Sequence, residues 1–205
     1  MTLELQLERK RDQSWDNRRH YLYYRKVHAY AQTFAPDAQS VLDVGSRDSE
    51  YLLDFDWVPQ KTALDREKVY EHPEVESILA DFMEHDFDRQ FDLVLCLQVL
   101  EHLHDPESFA QRLLSLGRVV IISVPYRWPK VSTTTNHVQD PIDEKKVRLW
   151  MRKDPVYSCR VKDRSSKRWI GVYFSNGDTA SLGTRLRLKL RELIDKNLVR
   201  QGRKA

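Results

Sequence analysis

Apolar residues in this chain fall into short runs separated by polar turns, and the period of the runs changes along the sequence. Between Trp15 and Phe34 the period is helical: Tyr24, Val27, Tyr30, Ala31 and Phe34 recur at three- and four-residue spacing. Ser14 can cap this helix, and Pro36 ends the segment. The runs Ser40–Val44, Lys61–Leu64, Ser77–Ala80, Phe91–Leu97 and Arg118–Val124 are short and apolar, as strands covered on both faces require. The second and third are each followed by an aspartate, Asp65 and Asp81. Asp105-Pro106-Glu107 opens a helix that runs to Leu116, with Asp at the cap, Pro at the first helical position and Gly117 beyond the end. Strand and helix therefore alternate, which predicts an α/β fold with a doubly wound parallel sheet.

Beyond the fifth strand the pattern changes. Tyr126 to Pro141 is a polar loop, and a short helix runs from Asp143 to about Met151. Tyr157–Lys162 and Arg168–Phe174 flank Asp163-Arg164-Ser165-Ser166-Lys167, the layout of an antiparallel hairpin. Thr184–Val199 reads as a last, basic helix, and Gln201–Ala205 as a frayed end.

At 205 residues, 40% of them hydrophobic, the chain suits one domain with a full core. No apolar run approaches the ~20 residues of a membrane span, and the charged N-terminus lacks the apolar stretch of a signal peptide. Cys96 and Cys159 make no disulfide framework, and Cys96 lies within an apolar run. These features predict a cytoplasmic protein. The net charge of +3 hides an asymmetry: residues 1–144 hold 16 Lys/Arg against 26 Asp/Glu, and residues 145–205 hold 18 against 5. The basic segment either attracts an anionic partner or covers the acidic part of its own fold.

The chemistry concentrates at the strand ends. Ser40-Val41-Leu42-Asp43-Val44-Gly45-Ser46-Arg47-Asp48-Ser49 reads as a buried strand, a tight glycine turn and the start of a helix. Such a turn presents backbone N–H groups to a small ligand. Asp65 lies about 20 residues beyond the glycine, where a carboxylate can accept hydrogen bonds from ribose hydroxyls, a spacing also used by dinucleotide-binding proteins. Phe91-Asp92-Leu93-Val94-Leu95-Cys96-Leu97-Gln98-Val99-Leu100-Glu101-His102-Leu103 carries a second cluster, and Asn136-His137-Val138-Gln139-Asp140-Pro141-Ile142-Asp143 a third.

The first of these stretches resembles the opening motif of class I S-adenosylmethionine-dependent methyltransferases. Asp43 and Gly45 match it, while Arg47 and Ser49 stand where glycines are usual. The fourth-strand stretch resembles the FDLVxxxxVLEHL motif of the small-molecule members, and the fifth strand ends in Ser-Val-Pro as theirs often does. The resemblance implies a Rossmann-like, mostly parallel seven-stranded sheet with an antiparallel hairpin at its end. It divides the single domain into a helical cover (1–36), a cofactor-binding core (37–126) and an acceptor side (127–205). It implies S-adenosyl-L-methionine as cofactor, bound by Asp43, Gly45, Ser46, Arg47, Asp65, Arg66, Asp81, Phe82, Leu97 and Gln98. Asp81 would receive the adenine amino group, Phe82 would pack on the ring, and Leu97 and Gln98 would lie against the methionine part. Arg47 has two readings, a fork for the cofactor carboxylate or a side chain directed away.

The implied reaction is an in-line displacement at a sulfonium methyl, for which the protein aligns the acceptor and can remove a proton. Candidate bases are Glu101, His102, His104 and Asp105 after strand four, and Asn136, His137, Asp140 and Asp143 after strand five. His137 is preferred, because the Trp128–Asp143 loop lies on the acceptor side. The leading expectation is O-methylation of a small-molecule or sugar-like acceptor. Small-RNA 2′-O-methyltransferases, the alternative, hold a divalent metal with a Glu, a Glu-His pair and a later His. Here Gln98 replaces the first Glu, so no essential metal is expected. A third reading keeps the fold as a non-catalytic binding scaffold.

Overall fold

The computed structural model describes residues 21–128, 136–163 and 166–175. The strands are β1 Ser40–Val44, β2 Gln60–Asp65, β3 Val75–Leu79, β4 Phe91–Leu97, β5 Gly117–Pro125, β6 Tyr157–Asp163 and β7 Ser166–Phe174. They form one seven-stranded sheet in the order β3-β2-β1-β4-β5-β7-β6. The first five are parallel, β7 runs antiparallel to β5, and β6 closes the hairpin. Three α-helices are described: α1 Leu22–Phe34, α2 Pro106–Leu116 and α3 Glu144–Met151. No helix among the described residues is long and apolar enough to cross a membrane.

The two faces of the sheet follow from strand alternation. Val41, Leu93, Leu95, Val119 and Ile121 point to one face, where Tyr23, Val27, Tyr30, Ala31 and Phe34 of α1 cover them. Leu42, Val44, Val94, Cys96, Val120 and Ile122 point to the other, under Phe109 and Leu113 of α2 and Val147 and Trp150 of α3. Each of the large side chains buried in this way contributes about 1.5–3 kcal/mol relative to exposure. Both faces are covered, which is why the parallel strands read in the sequence as unbroken apolar runs.

The structure departs from the sequence expectations at several boundaries. β3 starts at Val75, before Ser77, and Leu79 at its end is 63% exposed, as befits an edge strand. The stretch after Gly45 forms no α-helix. It makes a single 3-10 turn, Glu50–Asp54, with Ser49 Oγ accepting from Tyr51 N at 3.2 Å. Tyr51, Leu52 and Phe55 are buried beside α1, and Phe55 N closes the turn by donating to Leu52 O at 3.2 Å. Ser14 and the first residues of the expected N-terminal helix, and the basic segment Thr184–Val199, lie outside the described residues.

The N-terminus of α1 is capped across space. Tyr21 occupies the cap position and its side chain makes no capping hydrogen bond. Instead Asp163, at the end of β6, accepts from Leu22 N (2.9 Å) and Tyr23 N (3.0 Å). One carboxylate thus satisfies two orphan helical donors and ties the C-terminal hairpin to the covering helix. Asp163→Ala should destabilise the protein by about 1–2 kcal/mol in urea unfolding. An unchanged unfolding midpoint would mean that water caps these amides equally well.

Candidate active site

β1 and β4 are neighbours, and the chain leaves β1 towards β2 but leaves β4 towards β5, so the two connections depart in opposite directions and open a crevice at the carboxyl ends. Two cavities meet there. One of about 360 Å³ is bordered by Gly45, Leu64, Asp65, Asp81, Phe82 and Val99. The other, about 300 Å³, is bordered by Tyr23, Asp43, Leu97, Glu101, His137 and Arg168. Gly45, Arg47, Gln98 and His102 border both. The two are therefore lobes of one cleft, each within the size range of small-ligand sites.

The glycine turn is built for close approach. Gly45 has φ +77°, and a Cβ there would lie 2.4 Å from Val99 Cγ2. Its N–H groups, however, are engaged inside the protein, contrary to the sequence expectation. Gly45 N and Ser46 N donate to Leu64 O (2.8 and 3.2 Å), and Arg47 N donates to Asp65 Oδ2 (3.0 Å). No helix N-terminus follows. The turn therefore lacks the amide cradle that a pyrophosphate needs, which removes the dinucleotide reading left open by the Asp65 spacing. Arg47 adopts φ 51°, the left-handed backbone that a glycine would take at no cost. Ser49 has φ −85°, so its position needs no glycine.

The sequence-predicted residues gather in this cleft. Asp65 Oδ1 accepts from Glu67 N (2.8 Å) and Lys68 N (3.2 Å) in addition to the Arg47 contact of Oδ2. It braces the turn and keeps residual acceptor capacity for a ligand. Asp81 Oδ1 accepts from Met83 N at 2.7 Å, and its side chain borders the first lobe. Phe82 is buried, with its ring 4.6 Å from that of Phe109, and still borders that lobe. Arg66 is exposed and lies 3.6 Å from Glu67. Ser46 and Leu97 border the second lobe. Gln98 has φ 60°, and its N and Nε2 donate to Ser123 O (3.0 Å) and Ser123 Oγ (3.1 Å). Asp43 is buried against the second lobe, and burial first, then the nearby Asp65 carboxylate, pushes its pKa up to about 7.

Beyond β5 the loop is stitched to the turn after β4. Val138 N and Gln139 N donate to Glu101 O (2.9 and 3.2 Å), and Gln139 Nε2 donates to Leu103 O (2.8 Å). These bonds carry His137 over to His102, with ring centroids 4.7 Å apart and Trp128 stacked on the far side at 5.6 Å. His137 Nδ1 faces Asp140 Oδ2 at 2.7 Å, and His102 Nδ1 faces Asn136 O at 3.1 Å. Both partners are acceptors, so each Nδ1 carries a proton, and in the neutral tautomer Nε2 is the acceptor. Burial lowers the His102 pKa, the Asn136 carbonyl working against it. Glu101 is 1% exposed, and among the described residues neither of its carboxylate oxygens has a hydrogen-bond partner. Burial pushes its pKa up to about 8. Glu101, His102 and His137 offer ligand atoms that all lie within 4.8 Å of one another.

The remaining candidates do other work. Asp105 caps α2 through Ser108 N (3.0 Å), and Asp143 caps α3 through Lys146 N (3.0 Å). His104 borders neither lobe.

The sequence matches the family model of a methyltransferase domain over residues 15–157. The chain belongs to this methyltransferase family. S-Adenosylmethionine is the methyl donor of the family fold, and the residues just described fit it: a tight glycine turn without a phosphate cradle, and carboxylates at the ends of β2 and β3. No curated protein matches the chain in sequence. Among solved structures, the N-methyltransferase NodS from Bradyrhizobium japonicum WM9 with S-adenosylhomocysteine aligns at TM-score 0.59 and 12% identity, over 83% of this chain and 96% of that one. The methyltransferase domain of bacterial CtHen1 aligns at TM-score 0.56 and 14% identity, over 74% and 96%. The N-terminal domain of EvdMO1 with S-adenosylhomocysteine aligns at 0.52 and 16%, over 74% and 80%. At these identities the likeness is one of fold.

Two residues of this methyltransferase's cleft were not singled out from the sequence, Tyr23 as a site residue and Arg168. Tyr23 Oη lies 2.7 Å from Ser123 Oγ, and the Arg168 guanidinium sits 5.1 Å above the Tyr23 ring. The sequence offered no signal for Arg168, one of many cations in a basic segment.

The raised Asp43 pKa has a definite sign in stability. A proton bound more tightly in the folded state stabilises fully below the unfolded value, about 4, and that contribution is lost as pH rises to about 7. Asp43→Asn, which does not titrate, should gain stability relative to the parent across this window and hold a constant difference above it. Urea midpoints measured from pH 4 to 8 check this; a pH-independent difference would show that Asp43 is not the group buried as an acid.

Proposed function

We propose that this methyltransferase methylates an oxygen of a small-molecule or sugar-like acceptor. The observation that carries the proposal is the His137–Asp140 pair beside the 300 Å³ lobe, with Nδ1 held by the Asp140 carboxylate so that Nε2 is the atom left for an acceptor proton. When bound, S-adenosylmethionine supplies an electrophilic methyl group. Asp65 and Asp81 hold the nucleoside part in the first lobe, and Asp43, Ser46, Arg47, Leu97 and Gln98 flank the methionine part. Tyr23, Tyr24 and Trp128 screen the second lobe from water. His137 Nε2 takes the acceptor proton, and Asp140 orients the ring and stabilises the imidazolium. A hydroxyl acceptor makes such a base useful. The small volume of the lobe favours a small acceptor, and crystals of the similar EvdMO1 domain were grown in the presence of S-adenosylhomocysteine and D-fucose.

The test is methyl transfer from labelled S-adenosylmethionine to a panel of sugars and hydroxylated small molecules, with calorimetry on S-adenosylhomocysteine. Asp65→Ala should weaken cofactor binding markedly. His137→Ala should lower turnover about 10²–10⁴-fold with cofactor affinity nearly unchanged. Parental turnover in His137→Ala sinks the base assignment, and cofactor binding without turnover of any acceptor supports the non-catalytic scaffold.

The Glu101–His102–His137 cluster favours a second reading. A buried carboxylate without partners and two imidazoles with free Nε2 atoms form a donor set for a divalent transition ion, and these three residues would hold it. That reading brings the chain towards the RNA 2′-O-methyltransferases. Against it, Gln98 stands in place of a carboxylate and its amide is engaged with Ser123. Under the leading reading turnover survives a chelator; activity lost on chelation and restored by Mn²⁺ or Mg²⁺ establishes the second.

A further inference from the structure

We propose that Arg168 selects an acceptor carrying an anionic group, a carboxylate or a phosphoryl monoester, held by its guanidinium in the second lobe of the cleft. This rests on the methyltransferase reading of that cleft and narrows its acceptor class.

Arg168 lies on β7 in register with Pro125, the last residue of β5. Its guanidinium carbon is 5.1 Å from the centroid of the Tyr23 ring, and its side chain borders the second lobe. Stacking uses the face of the guanidinium and leaves its in-plane donors unengaged. Among the described residues none accepts a hydrogen bond from it or forms an ion pair with it, its charge acts on the buried Glu101 carboxyl in the same lobe, and its Nε is buried without a partner. Other arginines on these strands, away from the cleft, are used differently. Arg160 on β6 pairs with Glu144, and Arg118 on β5 with Asp37 and Asp92. Leaving a half-buried guanidinium without acceptors is costly, so a ligand that supplies two coplanar oxygens has a ready partner.

The platform beneath Arg168 is fixed from three sides. Tyr23 is buried, its hydroxyl is tied to Ser123 Oγ at 2.7 Å, and its N–H is capped by Asp163. Ser123 is itself held by Gln98 at the mouth of the cleft. Arg168 is thus indirectly registered to the end of β4, where the methyl group is transferred.

The cofactor's own carboxylate is a poor candidate for this arginine. With the residues assigned above, the cofactor would lie at the ends of β1 and β4, and β7 lies two strands beyond β4 in the order β1-β4-β5-β7. At about 4.8 Å per strand this is a lateral offset of about 10 Å. Arg47, at the glycine turn, is the nearer cation to that group.

The experiment uses protein saturated with S-adenosylhomocysteine and three probes of one shape: 4-hydroxybenzoate, phenyl phosphate and the neutral 4-hydroxybenzamide. Binding is followed by calorimetry or ligand-observed NMR in the parent, Arg168→Gln and Arg168→Lys. At least one anion should bind the parent, about 10-fold or more weaker in Arg168→Gln and by an intermediate amount in Arg168→Lys, which keeps the charge and loses the fork. The amide should bind weakly and equally to all three. Preference for the benzoate assigns a carboxylate, and preference for phenyl phosphate a phosphoryl group. Melting curves and S-adenosylhomocysteine affinity should match the parent in both variants. The proposal is overturned if neither anion binds, if the amide binds as well as the acids, or if Arg168→Gln weakens S-adenosylhomocysteine itself. A parent that fails to bind S-adenosylhomocysteine would overturn the methyltransferase reading of the cleft and this inference with it.

Discussion

The structure depends on the adjacent parallel strands β1 and β4, whose onward connections depart in opposite directions, to β2 and to β5. The β1 backbone is fully paired to β2 and β4, and its side chains are buried on both faces. No connection can cross over the carboxyl end of β1, so a cleft is left open there whatever the details of the loops. The residues that open the cleft sit at strand ends: Gly45 and Ser46 after β1, Gln98 after β4, and Asp65 as the last residue of β2.

Around this opening, polar groups divide into those already satisfied and those awaiting a ligand. The three N–H groups of the glycine turn, the Asp163 carboxylate and the Gln98 amide all have partners within the protein. They set the shape of the cleft and contribute to stability. Glu101 and Arg168 instead border the second lobe with buried atoms that no group among the described residues satisfies. Burying such groups costs free energy that a well-packed apolar core would not. That cost is concentrated on the acceptor side, where recognition of a second substrate has to take place. The strained backbone lies nearby, with Arg47 and Gln98 both in left-handed conformations on the rim shared by the two lobes.

The acceptor side is also where the fold is held by contacts distant in sequence. Asp163 caps α1 from 141 residues away, and Tyr23 meets Ser123 across 100 residues. The hairpin, the covering helix and the end of β5 therefore form a single wall, so a change in any one of them is felt at the others. The short loop bonds from Val138 and Gln139 to Glu101 do the same for His137 and His102. The chemistry of the site consequently rests on a frame of backbone hydrogen bonds more than on packing.

The parallel core was legible in the sequence, because a strand buried on both faces must be apolar throughout and that constraint is local. The aspartates ending β2 and following β3, the Asp105-Pro106 start of α2 and the hairpin were legible for the same reason: each needs only its neighbours. The helix expected after Gly45 was misread because Ser46, Asp48 and Ser49 look like caps, whereas the chain makes only the short 3-10 turn Glu50–Asp54 before Pro59 leads into β2. The direction of the glycine-turn amides was likewise settled by β2, whose Leu64 carbonyl takes two of them. His137 was found from its loop, but its partnership with His102 and Glu101 depends on the folding of that loop onto the turn after β4. Arg168 and Asp163 carried no mark in a segment crowded with charges. Sequence patterns record what a residue must be for its own strand or helix; which charge is paired, and which is left facing the cleft, is fixed only when segments more than a hundred residues apart are brought together.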